Sequence, residues 1–161
     1  MRIGVVSDTH NHLRNVARIV DLLGAARVDR VIHTGDITQP KTLRALAAVG
    51  APVFGVYGNN DQERAGLEAA ATALGMTICD PPLELVFAER RIVVVHDPLD
   101  LSRVTLRAGD LALHGHTHRL SLDERGGALV FNPGECAGHL TGHNAVGVVD
   151  LRTLRAELLR F

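Results

Sequence analysis

The chain has 161 residues and a formal net charge of -1, which suits one domain with a real core and excludes a global field that would gather nucleic acid or anionic lipid. Aromatic residues make up only 3%, with no Trp, which argues against a single-strand nucleic-acid binder built on stacking platforms. No apolar run reaches the length of a membrane span, and Met1-Arg2-Ile3 enters a strand at once instead of a signal peptide. A single domain over 1-161, in the cytoplasm and away from membranes, is therefore expected. Cys79 and Cys136 lie far apart without zinc-type spacing, as reduced cytosolic thiols do.

In chain order, Ile3 to Ser7 is a short apolar run with β-branched residues, read as a buried parallel strand. Leu13 to Leu23 carries Val16, Ile19, Val20 and Leu23 on one helical face. Val31 and Ile32 form a second strand. Thr42 to Val49 is a second helix closed by Gly50, Pro52 to Tyr57 a third strand, and Glu63 to Leu74 a third helix closed by Gly75. Such alternation predicts a parallel sheet with helices packed on it. The second half is more antiparallel. Leu83 to Phe87 and Arg91 to Val95 flank a tight turn, and a short helix is expected over Pro98 to Arg107. Leu111 to Leu113 is a strand. Leu120 to Leu122 and Leu129 to Phe131 flank the hairpin signal Gly126-Gly127, and Ala145 to Val149 pairs with Leu154 to Leu158. Two sheets packed face to face, with helices outside, would bury both apolar sets.

Polar clusters follow these strands: Asp8-Thr9-His10, Gly35-Asp36, Gly58-Asn59-Asn60-Asp61, His96 and Gly115-His116-Thr117-His118. Loops at the carboxyl ends of strands form the binding crevice of open α/β sheets. Carboxylate, imidazole and amide donors suit hard to borderline divalent cations. Two cations about 3.5–4 Å apart need one shared ligand, and Asp36, on a turn that Gly35 lets bend sharply, is the candidate bridge. Strand alternation would point Asp8 with His10, and His116 with His118, to one side. His96 and Asn59 would complete a second cation site. Singly, Asp8 and Asp36 also read as helix caps or turn residues, and Gly58 to Asp61 as a plain turn. His114 reads as structural, and His12, His33, His139 and His143 as structural or surface groups. Asn11 and His12 remain candidates, by proximity, to orient a ligand or to contact substrate, and Asp61 reads as a carboxylate that orients a ligand.

The order Asp-x-His, Gly-Asp, Gly-Asn-x-Asp, His, Gly-His-x-His resembles the calcineurin-like metallophosphoesterase superfamily, and the short chain resembles its small YfcE-like phosphodiesterases. The resemblance runs from Ile3 to about Gly134 and includes Asn132-Pro133-Gly134. It implies a four-layer α-β-β-α sandwich, an α/β fold of two mixed sheets flanked by helices. It implies a first metal on Asp8, His10, Asp36 and His118, and a second on Asp36, Asn59, His96 and His116. Mn²⁺ is the first expectation for this donor set, with Ni²⁺, Fe²⁺ or Zn²⁺ as alternatives. The implied reaction is hydrolysis of a small phosphoester by a hydroxide bridging the metals, attacking phosphorus in line. Two positions depart from the family pattern. Asn60 stands where many members have a His near the leaving group, and Asp97 follows His96 where Gly is usual. A metal-binding scaffold is the rival reading, since a eukaryotic retromer subunit resembles this fold. Duplex nucleic acid is not an expected substrate, and a homodimer is an open expectation.

Overall fold

Two mixed β-sheets stacked face to face organise the chain, whose computed structural model describes Met1–Phe161. The first sheet has the strand order β11-β10-β1-β2-β3-β4. It combines β1 (Arg2–Val6), β2 (Arg30–His33), β3 (Val53–Val56) and β4 (Thr77–Cys79), all parallel, with the antiparallel β10 (Ala145–Asp150) and β11 (Arg155–Arg160). The second sheet has the order β5-β6-β7-β9-β8. Its strands are β5 (Leu83–Phe87), β6 (Arg90–Val94), β7 (Leu111–Leu113), β8 (Ser121–Arg125) and β9 (Ala128–Asn132), with β6, β7 and β9 parallel to one another. These are the expected two mixed sheets flanked by helices.

Period-two alternation sorts the side chains into layers. Ile3, Val5, Ile32, Val56 and Val149 of the first sheet meet Ile92, Val94, Leu111, Leu113 and Phe131 of the second in a shared core. Their neighbours Val6, Val31, Val53 and Val148 face the other way, onto Val16, Ile19 and Leu23 of α1 (Leu13–Ala25) and Leu46 of α2 (Pro40–Leu46). Leu67, Ala70 and Ala71 of α3 (Arg64–Ala73) close the same side with Ile37, Leu43 and Tyr57. The outer face of the second sheet is covered more thinly, by the 3-10 helix Pro98–Arg103 and the following Val104 and Leu106.

The structure moves several expected boundaries. The second helix starts at Pro40, whose fixed φ suits the first helical position, and tightens into a 3-10 turn at Ala47–Val49 before left-handed Gly50. The helix expected over Pro98–Arg107 is 3-10 and stops at Arg103. Strand β4 falls where the sequence predicts none, because exposed Thr77 and half-buried Ile78 and Cys79 are too few to carry a periodic signal. Strand β8 extends through Asp123 and Glu124 to Arg125, an edge strand exposed on both faces from Leu122 onward.

Gly147 of β10 lies under the Phe131 ring, where an added Cβ would overlap the ring carbons. Gly147→Ala is expected to destabilise the protein by about 1–3 kcal/mol through overpacking. Gly24→Ala, on the open side of α1 with nothing near its Cβ position, is expected to stabilise by about 0.4–1 kcal/mol. Urea unfolding checks both, and an unchanged midpoint for Gly147→Ala would contradict the sheet packing described here.

Candidate metal centre

The ligand candidates all sit just past the carboxyl ends of β1, β2, β3, β6 and β7. Backbone hydrogen bonds carry the ladders beyond the strands: the Asp8 N–H donates to Gly35 O at 3.1 Å, His10 N–H to Asp36 O at 3.0 Å, and Gly115 N–H to His96 O at 3.0 Å. Strand alternation does not aim the side chains, contrary to the expectation for Asp8 with His10 and His116 with His118. Asp8, His10, Asn11, Asp36, His116 and His118 all have left-handed φ, between 41 and 66°, and it is these loop conformations that turn the side chains inward. Gly115 lets its loop lie directly on Ser7 and Asp8, since a Cβ there would strike the Ser7 hydroxyl and come within 2.8 Å of Asp8 Oδ2 and Thr34 Oγ1.

One cluster joins Asp8, His10, Asp36 and His118, whose potential ligand atoms lie within 4.8 Å of one another. The Asp8 carboxylate is fully buried. Its Oδ2 accepts from the Ser7 hydroxyl and from the His116 N–H at 3.2 Å, while its Oδ1 has no hydrogen-bond donor. Burial pushes this carboxyl above its ordinary value, against the Ser7 hydrogen bond. Glu135 Oε2 accepts from His118 Nδ1 at 2.7 Å. In the neutral ring this leaves the Nε2 lone pair facing Asp8 Oδ1 at 3.4 Å, and the same Nε2 lies 3.3 Å from His10 Nε2.

The second cluster converges on Asn59. His96 Nδ1–H donates to Thr34 O at 2.9 Å, which leaves Nε2 as an acceptor 2.9 Å from Asn59 Oδ1 and 3.5 Å from Asp36 Oδ1. His116 Nδ1 is also 2.9 Å from Asn59 Oδ1. Acceptor atoms facing each other this closely, together with the orphaned Asp8 Oδ1, make a donor set that fits divalent cations. The two clusters meet at Asp36, with His10 Nε2 3.5 Å from Oδ2. The first is largely sheltered, whereas Asn59 and His116 are exposed, so the second faces incoming molecules.

The remaining candidates take distinct places. Asp61 accepts from the N–H groups of Gly58, Asp36 and Thr38 at 2.7, 3.0 and 2.6 Å and so ties two ligand loops together. Asn60 donates to both oxygens of Asp36, from its backbone N–H at 2.9 Å and its amide at 2.7 Å. His12 caps α1 by accepting from Asn15 N–H at 3.4 Å, and Asn11 Oδ1 is buried without a partner. Asp97 accepts from Leu99 N–H at 2.8 Å, capping its 3-10 helix. His114 is buried against Ser121 and Asn132. His33 accepts from Gly35 N–H and faces the Thr9 hydroxyl at 3.1 Å, and burial pushes it down to about 3. Cys136 is buried, its thiol pushed up to about 12 by burial, and does not line the cleft.

Sequence reasoning assigned no role to Glu135 and left His139 as a structural or surface group. Glu135 is buried and accepts from His118, from the N–H groups of His139, Leu140 and Thr141, and from the Thr141 hydroxyl. Its place after Asn132-Pro133-Gly134 was the one available signal. His139 sets its ring 5.3 Å from that of His10, tilted by 42°, and nothing in its sequence neighbourhood marks it.

The calcineurin-like phosphoesterase superfamily domain matches residues 1–154, and the chain belongs to that superfamily. It is 31% identical over 154 residues to phosphodiesterase MJ0936 of Methanocaldococcus jannaschii, covering 93% of each chain. It is 25% identical to phosphodiesterase YfcE of Escherichia coli strain K12, covering 93% of this chain and 88% of that one. The solved structure of an archaeal phosphodiesterase superposes over 100% of both chains, with a TM-score of 0.90 at 29% identity.

Burial alone would raise the Glu135 carboxyl, but hydrogen bonds from Thr141, His118 and His139 outweigh it and hold the group at about 2, below its ordinary 4.5. Its folded value is the lower one, so its contribution to stability is complete above pH 4.5 and is lost as pH falls towards 2. Glu135→Gln is expected to flatten this acid limb in urea titrations of metal-free protein. It should also weaken any divalent-cation binding about 10–100-fold, as loss of a carboxylate that orients a ligating His does. Mn²⁺ affinity unchanged by calorimetry would separate Glu135 from the metal centre.

Proposed function

We propose that this chain is a cytoplasmic, binuclear metal-dependent phosphodiesterase. The observation that carries the reading is the meeting of two acceptor clusters at Asp36, with Asp8 Oδ1 buried and without a donor. Asp8, His10, Asp36 and His118 would hold one cation and Asp36, Asn59, His96 and His116 the other. Once bound, such a pair would supply Lewis-acid neutralisation of the phosphoryl oxygens and would lower the pKa of a coordinated water. Mn²⁺ is the first candidate, with Ni²⁺, Fe²⁺ and Zn²⁺ as alternatives.

The chain's own groups do the positioning. Glu135 fixes the His118 ring, the Thr34 carbonyl fixes His96, and Asp61 and Asn60 fix Asp36. An amide cannot donate a proton as an acid, so Asn60 favours esters whose alcohol departs readily as an anion. Grooves of about 190 and 260 Å³ flank the site, one reaching His118 and the other Asn59, His96 and His116. Two grooves suit the two arms of a diester. Free Cys79 and Cys136 fit the cytoplasm.

Elemental analysis of purified protein is expected to give close to two transition-metal ions per chain. Hydrolysis of bis(4-nitrophenyl) phosphate should require Mn²⁺ and stop with EDTA. Asp36→Ala and His116→Ala should each lower kcat/KM more than about 100-fold, since direct ligands should matter at least as much as their outer-shell partners. Full metal-dependent activity in either variant would overturn the site. Stoichiometric metal with no turnover of any phosphodiester would point to a metal-binding scaffold instead.

A further inference from the structure

We propose that the groove beside His118, walled by Arg119 and Arg160, binds a negatively charged arm of the substrate, so that the preferred diester carries a second anionic group on an apolar body. The inference rests on the phosphodiesterase reading and names the substrate class of that site. The groove, of about 190 Å³, runs from His118 and Glu135 over an apolar floor of Leu120, Pro133 and Leu158. It lies where the edge strands of the two sheets approach each other: Arg119 leads into β8, and Arg160 ends β11. Pockets that enclose whole small molecules start at roughly 300 Å³. This one therefore suits one ester arm whose phosphorus lies at the metal centre.

Charge fixes what that arm carries. The arginine ion pairs of the chain belong to Arg2, Arg64, Arg91 and Arg103. Arg119 and Arg160 have no carboxylate partner, and both are exposed. The one carboxylate lining this groove, Glu135, is occupied by His118, three backbone N–H groups and the Thr141 hydroxyl. Guanidinium forks match carboxylate and phosphate oxygens. The opposite groove has the reverse character. Its one arginine, Arg64, is held by Asp80 at 2.6 Å and stacked 3.9 Å over Tyr57; of the two carboxylates that line the same space, Asp100 pairs with Arg103 at 3.0 Å and Asp97 has no cationic partner. An anionic arm is attracted on the His118 side and repelled on the other, so the asymmetry also sets the direction in which the diester lies.

Two esters with the same leaving group test this: 4-nitrophenyl phenyl phosphate, and the analogue whose phenyl arm carries a para-carboxylate. With Mn²⁺, wild-type protein is expected to show a KM about tenfold lower for the carboxylate ester, the scale of one charge-assisted contact. In R119Q/R160Q that preference should vanish, with the loss falling on KM. Arg18→Gln, on the outer face of α1, should keep the wild-type preference. Equal KM values for the two esters in wild-type protein, a preference that survives the double substitution, or one that Arg18→Gln also removes would each overturn the subsite while leaving the phosphodiesterase reading standing. Metal-dependent hydrolysis of neither ester would overturn both.

Discussion

The Asp36 carboxylate is the constraint on which the arrangement depends. It is 1% exposed and lies between His10, carried by the loop after β1, and His96, carried by the loop after β6 of the other sheet. A charge buried this deeply is costly unless its oxygens are satisfied. Asn60 supplies two hydrogen bonds to those oxygens, and Asp61 fixes the backbone that presents them. Each surrounding loop is thus placed with reference to one residue. A shift of Asp36 would separate both clusters at once.

Backbone strain is concentrated at the same place. Six non-glycine ligands and near neighbours adopt left-handed φ, a conformation that costs an L-residue of order 1 kcal/mol or more. Such conformations persist where the surroundings over-determine them. Here the N–H groups of Asp8, His10 and Gly115 are held by carbonyls of neighbouring loops. The packed interior between the sheets, from Ile3 to Phe131, supplies the rigid frame on which these loops rest.

Much of this was legible before the fold was seen, for a specific reason. Parallel strands buried on both faces read as unbroken apolar runs, and the polar residues that end them stand out, as Asp8, Asp36 and His96 do. Alternating strands and helices over the first half also marked the parallel pairing of β1, β2 and β3 and the helices packed on them. What stayed hidden depends on contacts that spacing does not encode. The inward aim of His10 and His118 comes from left-handed turns, not from the strand periodicity invoked for it. Strand β4 is too short for a pattern, and polar Asp123 and Glu124 concealed the length of β8. Glu135 has meaning only through His118 and Thr141, which lie 17 residues before it and 6 after it.

Glu135 also has a thermodynamic consequence. One carboxylate grips His118 with an oxygen that His139 N–H also shares, and the segment through Thr141 with the other. Ordering of that segment and occupancy of the centre are therefore linked functions. By reciprocity, a cation that ordered residues 139–141 through His118 and Glu135 would itself be bound more tightly, by the same factor, once those residues were ordered. Amide protection at Leu140 and Thr141 is then a local gauge of how full the centre is.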